Sequence, residues 1–203
     1  MKCLSLLFVL LLLTAMPNPV RATQPMDGIK TTTDHILTTL RDKALAGDAH
    51  RSERYRLIRV ELDARFDWGA VARGCLGRHW SKRSPAEQKE FVSVFGQFLE
   101  ATYIEKFETY YGDLEKVDYL SQRVIENYAS VKVVLTTKEA ITHPLDYRLE
   151  KVRQADEWRI YDVLIEGVSL VKNYRDQFDD IIAKSSYEKL LQDIKSKLGS
   201  SPR

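Results

Sequence analysis

The segment at residues 158–170, WRIYDVLIEGVSL, constrains the fold of this chain more than any other feature. Residues 158–165 are rich in aromatic and β-branched side chains, which favours a β-strand. Glu166 and Gly167 interrupt that strand, and we expect Gly167 to take a backbone geometry that other residues resist. Ser169 is a residue type that begins helices. The chain is therefore predicted to pass from a strand to a helix within a few residues.

The first half of the chain has helical patterns. Ser84 and Glu87 have the spacing of a capping box, and Pro85 occupies the first helical position between them. This helix is predicted to run to about residue 111 and to stop at Gly112. Before it, apolar residues at helical spacing predict helices at residues 27–46 and 51–64, and a short helix that Asp67 caps.

The hydrophobic period changes to two after Gly112, most clearly in Val131, Val133 and Leu135. Short links between the predicted strands indicate an antiparallel meander. Helices, strands and again helices follow in order, which predicts an α+β domain: a twisted antiparallel sheet of about four strands with helices packed over one face. The predicted strands are residues 117–126, 128–137, 145–153 and 157–165, and the helices after them are residues 169–184 and 186–198.

The N-terminus has the pattern of an export signal. Lys2 precedes an uncharged run at residues 4–15, which is too short to span a bilayer as a helix but fits the apolar part of a signal peptide. We place the cleavage site near Ala22, with a retained membrane anchor as the alternative. The predicted division is a signal peptide at residues 1–22, a single domain at residues 23–198 and a loose tail at residues 199–203.

Removal of the signal leaves a neutral chain. The sequence has 31 Lys and Arg against 29 Asp and Glu, and the predicted cleavage removes Lys2 and Arg21. Nucleic-acid binding normally needs a basic surface, so we expect no nucleic-acid partner. Of the two cysteines, only Cys75 follows the signal, which excludes an internal disulfide in the processed chain. We interpret Cys75 as a small buried residue, with a reactive thiol as the alternative.

Patterns of catalytic or metal-binding residues are sparse. The sequence has no nucleophile elbow, phosphate-binding glycine loop or dinucleotide fingerprint, so no metal and no cofactor is predicted. Asp162 is the best candidate for an acid or base, because it lies mid-strand among apolar neighbours. The alternative is a structural carboxylate that faces outward and pairs with Arg148 or Arg159. No metal-ligand spacing relates the four histidines, which are His35, His50, His79 and His143.

The long helix after Pro85 has an aromatic stripe on one side. Such a stripe usually fills an ordinary core. The strands and the other helices add many more apolar faces, and that quantity also permits a hollow interior. The stripe consists of Phe91, Phe95, Phe98, Leu99 and Tyr103.

Two segments resemble the MlaC family, also called the toluene-tolerance auxiliary family. Residues 66–103, FDWGAVARGCLGRHWSKRSPAEQKEFVSVFGQFLEATY, are similar to its central helical region, and residues 158–182, WRIYDVLIEGVSLVKNYRDQFDDII, are similar to its C-terminal signature. The resemblance covers roughly residues 29–198. The most specific part is W-x-x-Y-D-x-x-x-E-G-V-S, here Trp158, Tyr161, Asp162, Glu166, Gly167, Val168 and Ser169.

This resemblance implies a periplasmic phospholipid-binding protein of Gram-negative bacteria. Members ferry lipid between an outer-membrane lipoprotein complex and an inner-membrane ABC transporter built around an MCE-domain ring, which maintains outer-membrane lipid asymmetry. It also implies an apolar pocket for the acyl chains inside the α+β domain, a headgroup near the surface, and phospholipid as cargo instead of a cofactor. The departures from the family pattern are Cys75 and a basic cluster, a candidate partner surface, of Arg73, Arg78, Lys82 and Arg83.

Periodicity assigns the lining of such a pocket to one face of the long helix, one face of the sheet, and the start of the helix after Gly167. We read Tyr161 and Asp162 as residues that shape the junction between strand and helix. The predicted lipid-binding residues are Phe91, Phe95, Phe98, Leu99, Tyr103, Val131, Val133, Leu135, Tyr147, Leu149, Ile160, Val163, Ile165, Val168 and Leu170.

Two other functions stay open at this point. An enzyme on a related cone-shaped α+β scaffold would use Asp162 as general base and Tyr161 or Tyr147 as proton donor. An adaptor protein of the cell envelope would instead have a solidly packed interior. Substitution of Val133 or Leu149 with Trp would then unfold the protein and not merely displace a ligand.

Overall fold

The protein is described by a computed structural model that covers residues 24–152 and 157–200, with the backbone alone for residues 104–112 and 200. The predicted signal peptide lies outside the described residues, as do residues 201–203. The described part has six α-helices and five strands in the order helices, strands, helices. The helices are α1 (Pro25–Arg41), α2 (Arg51–Arg65), α3 (Trp68–Leu76), α4 (Pro85–Gly112), α5 (Leu170–Lys184) and α6 (Tyr187–Ser200).

The strands form one open antiparallel sheet in which each strand pairs with the next along the chain. This meander confirms the predicted fold class. The sequence predicted about four strands, and the structure adds a short fifth one. The strands are β1 (Leu114–Ile125), β2 (Tyr128–Thr137), β3 (Thr142–Val152), β4 (Glu157–Ile165) and β5 (Val168–Ser169).

The fifth strand results from the turn at Glu166 and Gly167. Both residues have positive φ angles, 53° and 83°, which is the backbone of the two-residue turns that close tight hairpins. The turn brings Val168 opposite Ile165, so the chain pairs once more with β4 before α5 begins. The sequence pattern predicted the turn and the positive φ of Gly167, but it did not reveal this extra pairing.

The predicted helix caps are all present. The Ser84 amide donates to the Glu87 carboxylate at 2.7 Å, and the Glu87 amide donates to the Ser84 hydroxyl at 3.3 Å, which completes the capping box of α4. Asp67 accepts from the amide three residues on at 2.8 Å and caps α3. Ser169 accepts from the amide three residues on at 3.0 Å and caps α5.

The first helix is shorter than predicted. It ends at Arg41 and not at residue 46, because Asp42 leaves the helical region and accepts a 2.9 Å hydrogen bond from the amide of Ala44. That bond starts a separate 3₁₀ turn, Lys43–Leu45. At the other end of the chain, α6 continues through Gly199 to Ser200, two residues into the predicted tail.

A β-bulge in β4 changes which of its residues share a face. Leu149 of β3 pairs with Ile160, but Arg148 pairs with Asp162, so Tyr161 is the extra residue. Beyond the bulge, Val163 pairs with Tyr147, on the same face as Leu149. Ile160 and Val163 therefore face the same side although they are three positions apart.

Buried side chains form two main clusters. One, the helical cluster, joins the four helices α3, α4, α5 and α6. Within it, the ring centroid of Phe95 lies 5.2 Å from that of Phe178 and 5.3 Å from that of Tyr174. The other, the sheet cluster, lies between α1 and the inner face of the sheet and includes Ile29 and Leu149. A third, small cluster joins α1 to α2.

Candidate functional site

A largely apolar cavity of about 340 Å³ lies between the helical cluster and the sheet cluster. That volume falls within the range of pockets that hold small ligands. Members of both clusters contribute to its wall, so the two cores meet around a space instead of merging into one. The wall consists of Ile29, Thr32, Thr33, Ile36, Leu62, Arg65, Phe66, Trp68, Val71, Leu99, Glu100, Tyr103, Leu114, Leu135, Thr137, His143, Leu145, Tyr147, Ile160, Asp162, Val163, Ile165, Glu166, Leu170 and Val171.

Eight of the fifteen predicted pocket residues lie on this wall, and seven lie elsewhere. The eight come from the C-terminal part of the aromatic stripe, from the inner faces of three strands, and from the start of α5. They are Leu99, Tyr103, Leu135, Tyr147, Ile160, Val163, Ile165 and Leu170. The seven that are not on the wall are Phe91, Phe95, Phe98, Val131, Val133, Leu149 and Val168.

Six of the seven residues off the wall pack elsewhere, and the seventh is exposed. Phe91 and Phe95 are fully buried among the rings of the helical cluster, and Phe98 packs against that cluster. Val131, Val133 and Leu149 belong to the sheet cluster. Val168, in the short strand β5, is 62% exposed. Helical and strand periodicity identify a buried face, but not whether that face meets a cavity or another side chain.

The helices before α4 form a part of the wall that the sequence did not reveal. Ile29, Thr33 and Ile36 from α1 face the cavity, and Leu62 and Arg65 do so from α2. The helical spacing of the α1 residues was visible in the sequence, but no local signal related it to a strand a hundred residues later. On β3, Leu145 was the nearest miss: it alternates with Tyr147, which was predicted.

The three carboxylates on the wall have polar partners. Glu100 accepts from Arg59 Nε at 2.7 Å, and Glu166 Oε1 lies 3.0 Å from His143 Nδ1. Asp162, on the face away from Tyr147, accepts from the Ser169 hydroxyl at 2.7 Å and the Val171 amide at 3.0 Å. These partners offset the cost of placing carboxylates beside an apolar cavity, because an unpaired buried charge would be costly.

Arg65 is the one Lys or Arg on the described wall. Its Nε donates to Thr32 Oγ1 at 3.0 Å, and its Nη1 lies 3.3 Å from the carbonyl oxygen of Trp158. Burial lowers the pKa of Arg65, but an arginine side chain stays protonated. The guanidinium therefore links α2 to α1 and β4 at the cavity wall.

The geometry of Asp162 is that of a structural carboxylate. Only 5% of it is exposed, and both of its oxygens accept hydrogen bonds from the start of α5. Arg148 Nη1 approaches one of those oxygens to 3.6 Å from the neighbouring strand, as the structural alternative proposed. A carboxylate at a helix N-terminus also interacts favourably with the helix dipole. Asp162 thus connects β4 to α5.

The two tyrosines considered as proton donors have raised pKa values. Burial is the main cause for both, and Tyr147 is the more strongly shifted. Tyr147 lines the cavity, whereas Tyr161 lies at the bulge, where its ring packs edge-on against Tyr128 with centroids 6.1 Å apart. Tyr147 therefore faces the other side of the sheet from Asp162, whereas Tyr161 borders the same outer groove as Asp162.

A smaller groove between α2 and α4, the α2–α4 groove, adjoins the cavity. Its volume is about 230 Å³, and it shares Leu62, Trp68 and Glu100 with the cavity wall. Its lining is much more polar than the cavity wall. The lining residues are Arg59, Leu62, Asp63, Trp68, Val92, Ser93, Gly96, Gln97 and Glu100.

Membrane-spanning helices and metal clusters are both absent from residues 24–152 and 157–200. No helix in these ranges is both long and apolar enough to cross a bilayer. No cluster of three or more His, Cys, Asp or Glu side chains in them is arranged to hold a metal ion.

In the predicted basic cluster, Arg78 pairs with Asp179 and Arg83 pairs with Glu87, so these two charges are partly compensated.

Helices folded over one antiparallel sheet, with a mainly apolar cavity between their cores, define an α+β protein able to enclose an apolar ligand. The same chain carries the quoted signature at the β4–α5 junction. Its residues 30–196 match the family described as MlaC protein. The chain belongs to the MlaC family.

Individual relatives agree with this assignment. Toluene tolerance protein ttg2D of Pseudomonas putida is 25% identical over 179 residues, which cover 87% of this chain and 82% of that protein. The intermembrane phospholipid transport system binding protein MlaC of Haemophilus influenzae is 20% identical over 117 residues, 57% of this chain and 55% of that protein.

A solved structure supports the fold. It is the phospholipid-binding protein from Ralstonia solanacearum in complex with a phospholipid, determined at 1.53 Å resolution. The TM-score is 0.75 at 24% sequence identity, and the match covers 88% of this chain and 100% of that chain. The α+β fold is therefore shared with a solved structure.

Proposed function

We propose that this chain is a periplasmic phospholipid carrier without catalytic activity. It takes acyl chains into the cavity and shuttles lipid between an outer-membrane lipoprotein complex and an inner-membrane ABC transporter built around an MCE-domain ring. This transport would maintain the lipid asymmetry of the outer membrane. Membership of the family supports the proposed partners, and the export pattern supports the proposed compartment and cleavage near Ala22.

The observation that carries this proposal is the apolar cavity between the two cores. Each methylene moved out of water contributes roughly 0.8 kcal/mol, so two long acyl chains gain roughly 20 kcal/mol in an apolar environment. A carrier must offer a comparably dry interior, because lipid otherwise remains in the bilayer. A wall made mainly of aliphatic and aromatic side chains, with each carboxylate paired, supplies that environment.

The described geometry favours a carrier over an enzyme. Both oxygens of Asp162 are held by the Ser169 hydroxyl and the Val171 amide, and Tyr147 faces the other side of the sheet. The cavity also argues against a solidly packed adaptor. We therefore assign lipid contact to the eight predicted residues on the wall and treat phospholipid as cargo, with no cofactor.

Native mass spectrometry of the protein purified from a Gram-negative periplasm tests the central claim. We expect an added mass that dissociates as phospholipid, with lipid identification after extraction. Protein that is lipid-free both when isolated and after incubation with phospholipid vesicles would overturn the carrier proposal. The mass of the protein chain in the same spectrum locates the cleavage site.

Transport partners need a separate experiment. Lipid-loaded protein is mixed with vesicles that contain the reconstituted inner-membrane transporter or lack it. We expect labelled phospholipid to move only when the transporter is present. Equal movement to both kinds of vesicle would contradict the proposed partner.

A further inference from the structure

We propose that the α2–α4 groove holds the polar headgroup of the lipid whose acyl chains occupy the cavity, and that its charges favour a zwitterionic headgroup over a net anionic one. The inference rests on the proposed lipid-binding function and adds the position and chemical class of the headgroup. Four observations support it: the adjacency of the two spaces, the residue at their boundary, the charges in the groove, and the character of the other rim.

The groove lies directly beside the cavity. Leu62, Trp68 and Glu100 line both spaces, so a lipid that occupies both would pass between these three side chains. Arg59 and Asp63 border the groove from α2, one turn apart on the same face. On α4, Gly96 and Glu100 are also one turn apart. Two facing helices thus form a polar slot at the side of an apolar chamber.

Trp68 has the properties of a residue at a boundary between apolar and polar regions. Its ring stacks on Phe66, with centroids 4.7 Å apart and planes 9° from parallel. Its indole nitrogen donates to Asp63 Oδ1 at 2.7 Å, on the groove side. Tryptophan is preferred where one end of a side chain is apolar and the other is wet, as at the junction of acyl chains and headgroups.

The charges of the groove indicate the headgroup class. One cation, Arg59, and two carboxylates, Asp63 and Glu100, line it, so the formal charge is −1. Arg59 Nε donates to Glu100 across the groove at 2.7 Å. A phosphate alone would add negative charge to a site that already has an excess of it. A phosphate joined to an ammonium can place its anion on Arg59 and its cation on Asp63.

The other rim of the cavity suits a headgroup less well. Ile165 lies on the wall there and is 37% exposed, Val168 next to it is exposed, and so is Ile141 at the β2–β3 turn. The charges on this rim, His143 and Glu166, pair with each other, as Arg59 and Glu100 do in the groove, so the two places differ in their uncharged side chains. A hydrated headgroup would lose water against these apolar side chains, whereas the α2–α4 groove offers polar partners.

Gly96 allows the groove to be filled without damage to the fold. A Cβ added there meets no other atom within 4 Å, and its backbone is helical. We expect Gly96→Leu to occupy the groove and leave the cavity open. Lys89→Leu is the matched control, because it adds the same side chain to an exposed position of α4 outside the groove.

The test measures competition in native mass spectra. Delipidated full mature protein is incubated with phosphatidylethanolamine, with phosphatidic acid of the same acyl chains, and with oleic acid, which has a chain but no phosphate headgroup. Wild type is expected to prefer phosphatidylethanolamine to phosphatidic acid. Gly96→Leu should weaken phosphatidylethanolamine binding about tenfold, whereas its oleic acid binding and the Lys89→Leu control should match wild type.

Asp63→Asn tests the role of charge, because the amide oxygen still accepts from Trp68. It should reduce the preference for phosphatidylethanolamine and leave oleic acid binding unchanged. Phosphatidylethanolamine binding that Gly96→Leu does not alter would overturn the headgroup position, and a preference that survives Asp63→Asn would overturn the charge selection. Wild type that binds none of the three ligands would instead overturn the proposed lipid-binding function itself.

Discussion

The carboxylate of Asp162 accepts a 3.0 Å hydrogen bond from the backbone amide of Val171, and through it β4 holds the first turn of α5. Val171 and Asp162 both contribute to the cavity wall. One hydrogen bond thus links the bulged strand, the helix that follows it and the edge of the candidate lipid site. This relationship gives a structural reason for an aspartate within the family signature.

Asp162→Asn should destabilise the protein by about 1–3 kcal/mol, because the buried amide and hydroxyl donors lose a charged acceptor. Urea unfolding followed by circular dichroism measures the change. Asp176→Asn is the matched control: Asp176 lies on the exposed side of α5 and pairs with Lys172 there, so its change should stay within about 0.5 kcal/mol. Equal effects of the two substitutions would contradict the structural role of Asp162.

Gly167 and Gly96 should respond to alanine with opposite signs. Gly167 has a φ of 83°, where a Cβ costs about 1–2 kcal/mol even though the space around it is open. Gly96 lies inside α4, where alanine gains about 1 kcal/mol in helix propensity. Thermal unfolding of both variants measures the difference. Stabilisation by Gly167→Ala would show that the turn does not need its positive φ.

Leu145 and Leu149 face the same side of β3, but one lies on the cavity wall and the other in the packed core. Leu145→Trp should fill part of the cavity, keep the fold and reduce the amount of copurifying lipid. Leu149→Trp should destabilise the fold by about 1–3 kcal/mol or more, because Leu149 is 0% exposed and the added ring has no space. Lipid content and thermal unfolding are measured together.

The pair of variants Leu145→Trp and Leu149→Trp replaces the test suggested by the sequence. Tryptophan at Val133 or Leu149 cannot separate a carrier from a solid adaptor, because both residues are tightly packed in the sheet cluster. Leu145→Trp can separate a carrier from an adaptor, because Leu145 lies on the cavity wall. If Leu145→Trp also unfolds the protein, the cavity is not available to a ligand of that size.

Cys75 should be almost unreactive in the folded protein. It is fully buried, and burial raises the pKa of its thiol to about 12, so the reactive thiolate is scarce at neutral pH. A colorimetric thiol reagent should react slowly in buffer and rapidly in denaturant. Rapid reaction under native conditions would favour the alternative of an accessible thiol.

Asp179 should contribute to stability in a pH-dependent way. Its hydrogen bonds with His79 and then Arg78 hold the pKa of this carboxyl below its usual value. A lowered pKa in the folded state means that the contribution is fully present above the pKa of the unfolded chain and is lost as the pH falls through the folded pKa.

The stability difference between wild type and Asp179→Asn should therefore shrink as the pH falls below about 5. Urea unfolding at several pH values measures it. Asp180→Asn, which changes an exposed carboxylate paired with Lys184, is the control. A difference that widens towards low pH would have the wrong sign.

Much of the local structure could be predicted because its signals are local. The capping box at Ser84 and Glu87 marked the start of α4. Alternation marked β2, and aromatic and β-branched residues marked β4, both with their observed bounds. The two-residue strand β5 was missed because so short a pairing leaves no period. The early end of α1 was missed because Asp42 competes with the helix through its own side chain.

The candidate site could be predicted only in part. Leu99 and Tyr103 belong to the same helical stripe as Phe91 and Phe95, yet the first pair faces the cavity and the second pair fills the aromatic core. The stripe is continuous along α4, so no pattern within it marks the change. The change occurs because α5 and α6 cover one part of the stripe and leave the other facing the cavity.

The sequence by itself determined the order of helices and strands, the residues that begin the helices and the family, since each depends on neighbouring residues or on a quoted motif. Only the tertiary structure decided which apolar faces enclose a space. It placed Ile160 and Val163 on one face through the bulge at Tyr161. It also brought Arg59 of α2 against Glu100 of α4. Such contacts join residues far apart in the chain, and periodicity carries no information about them.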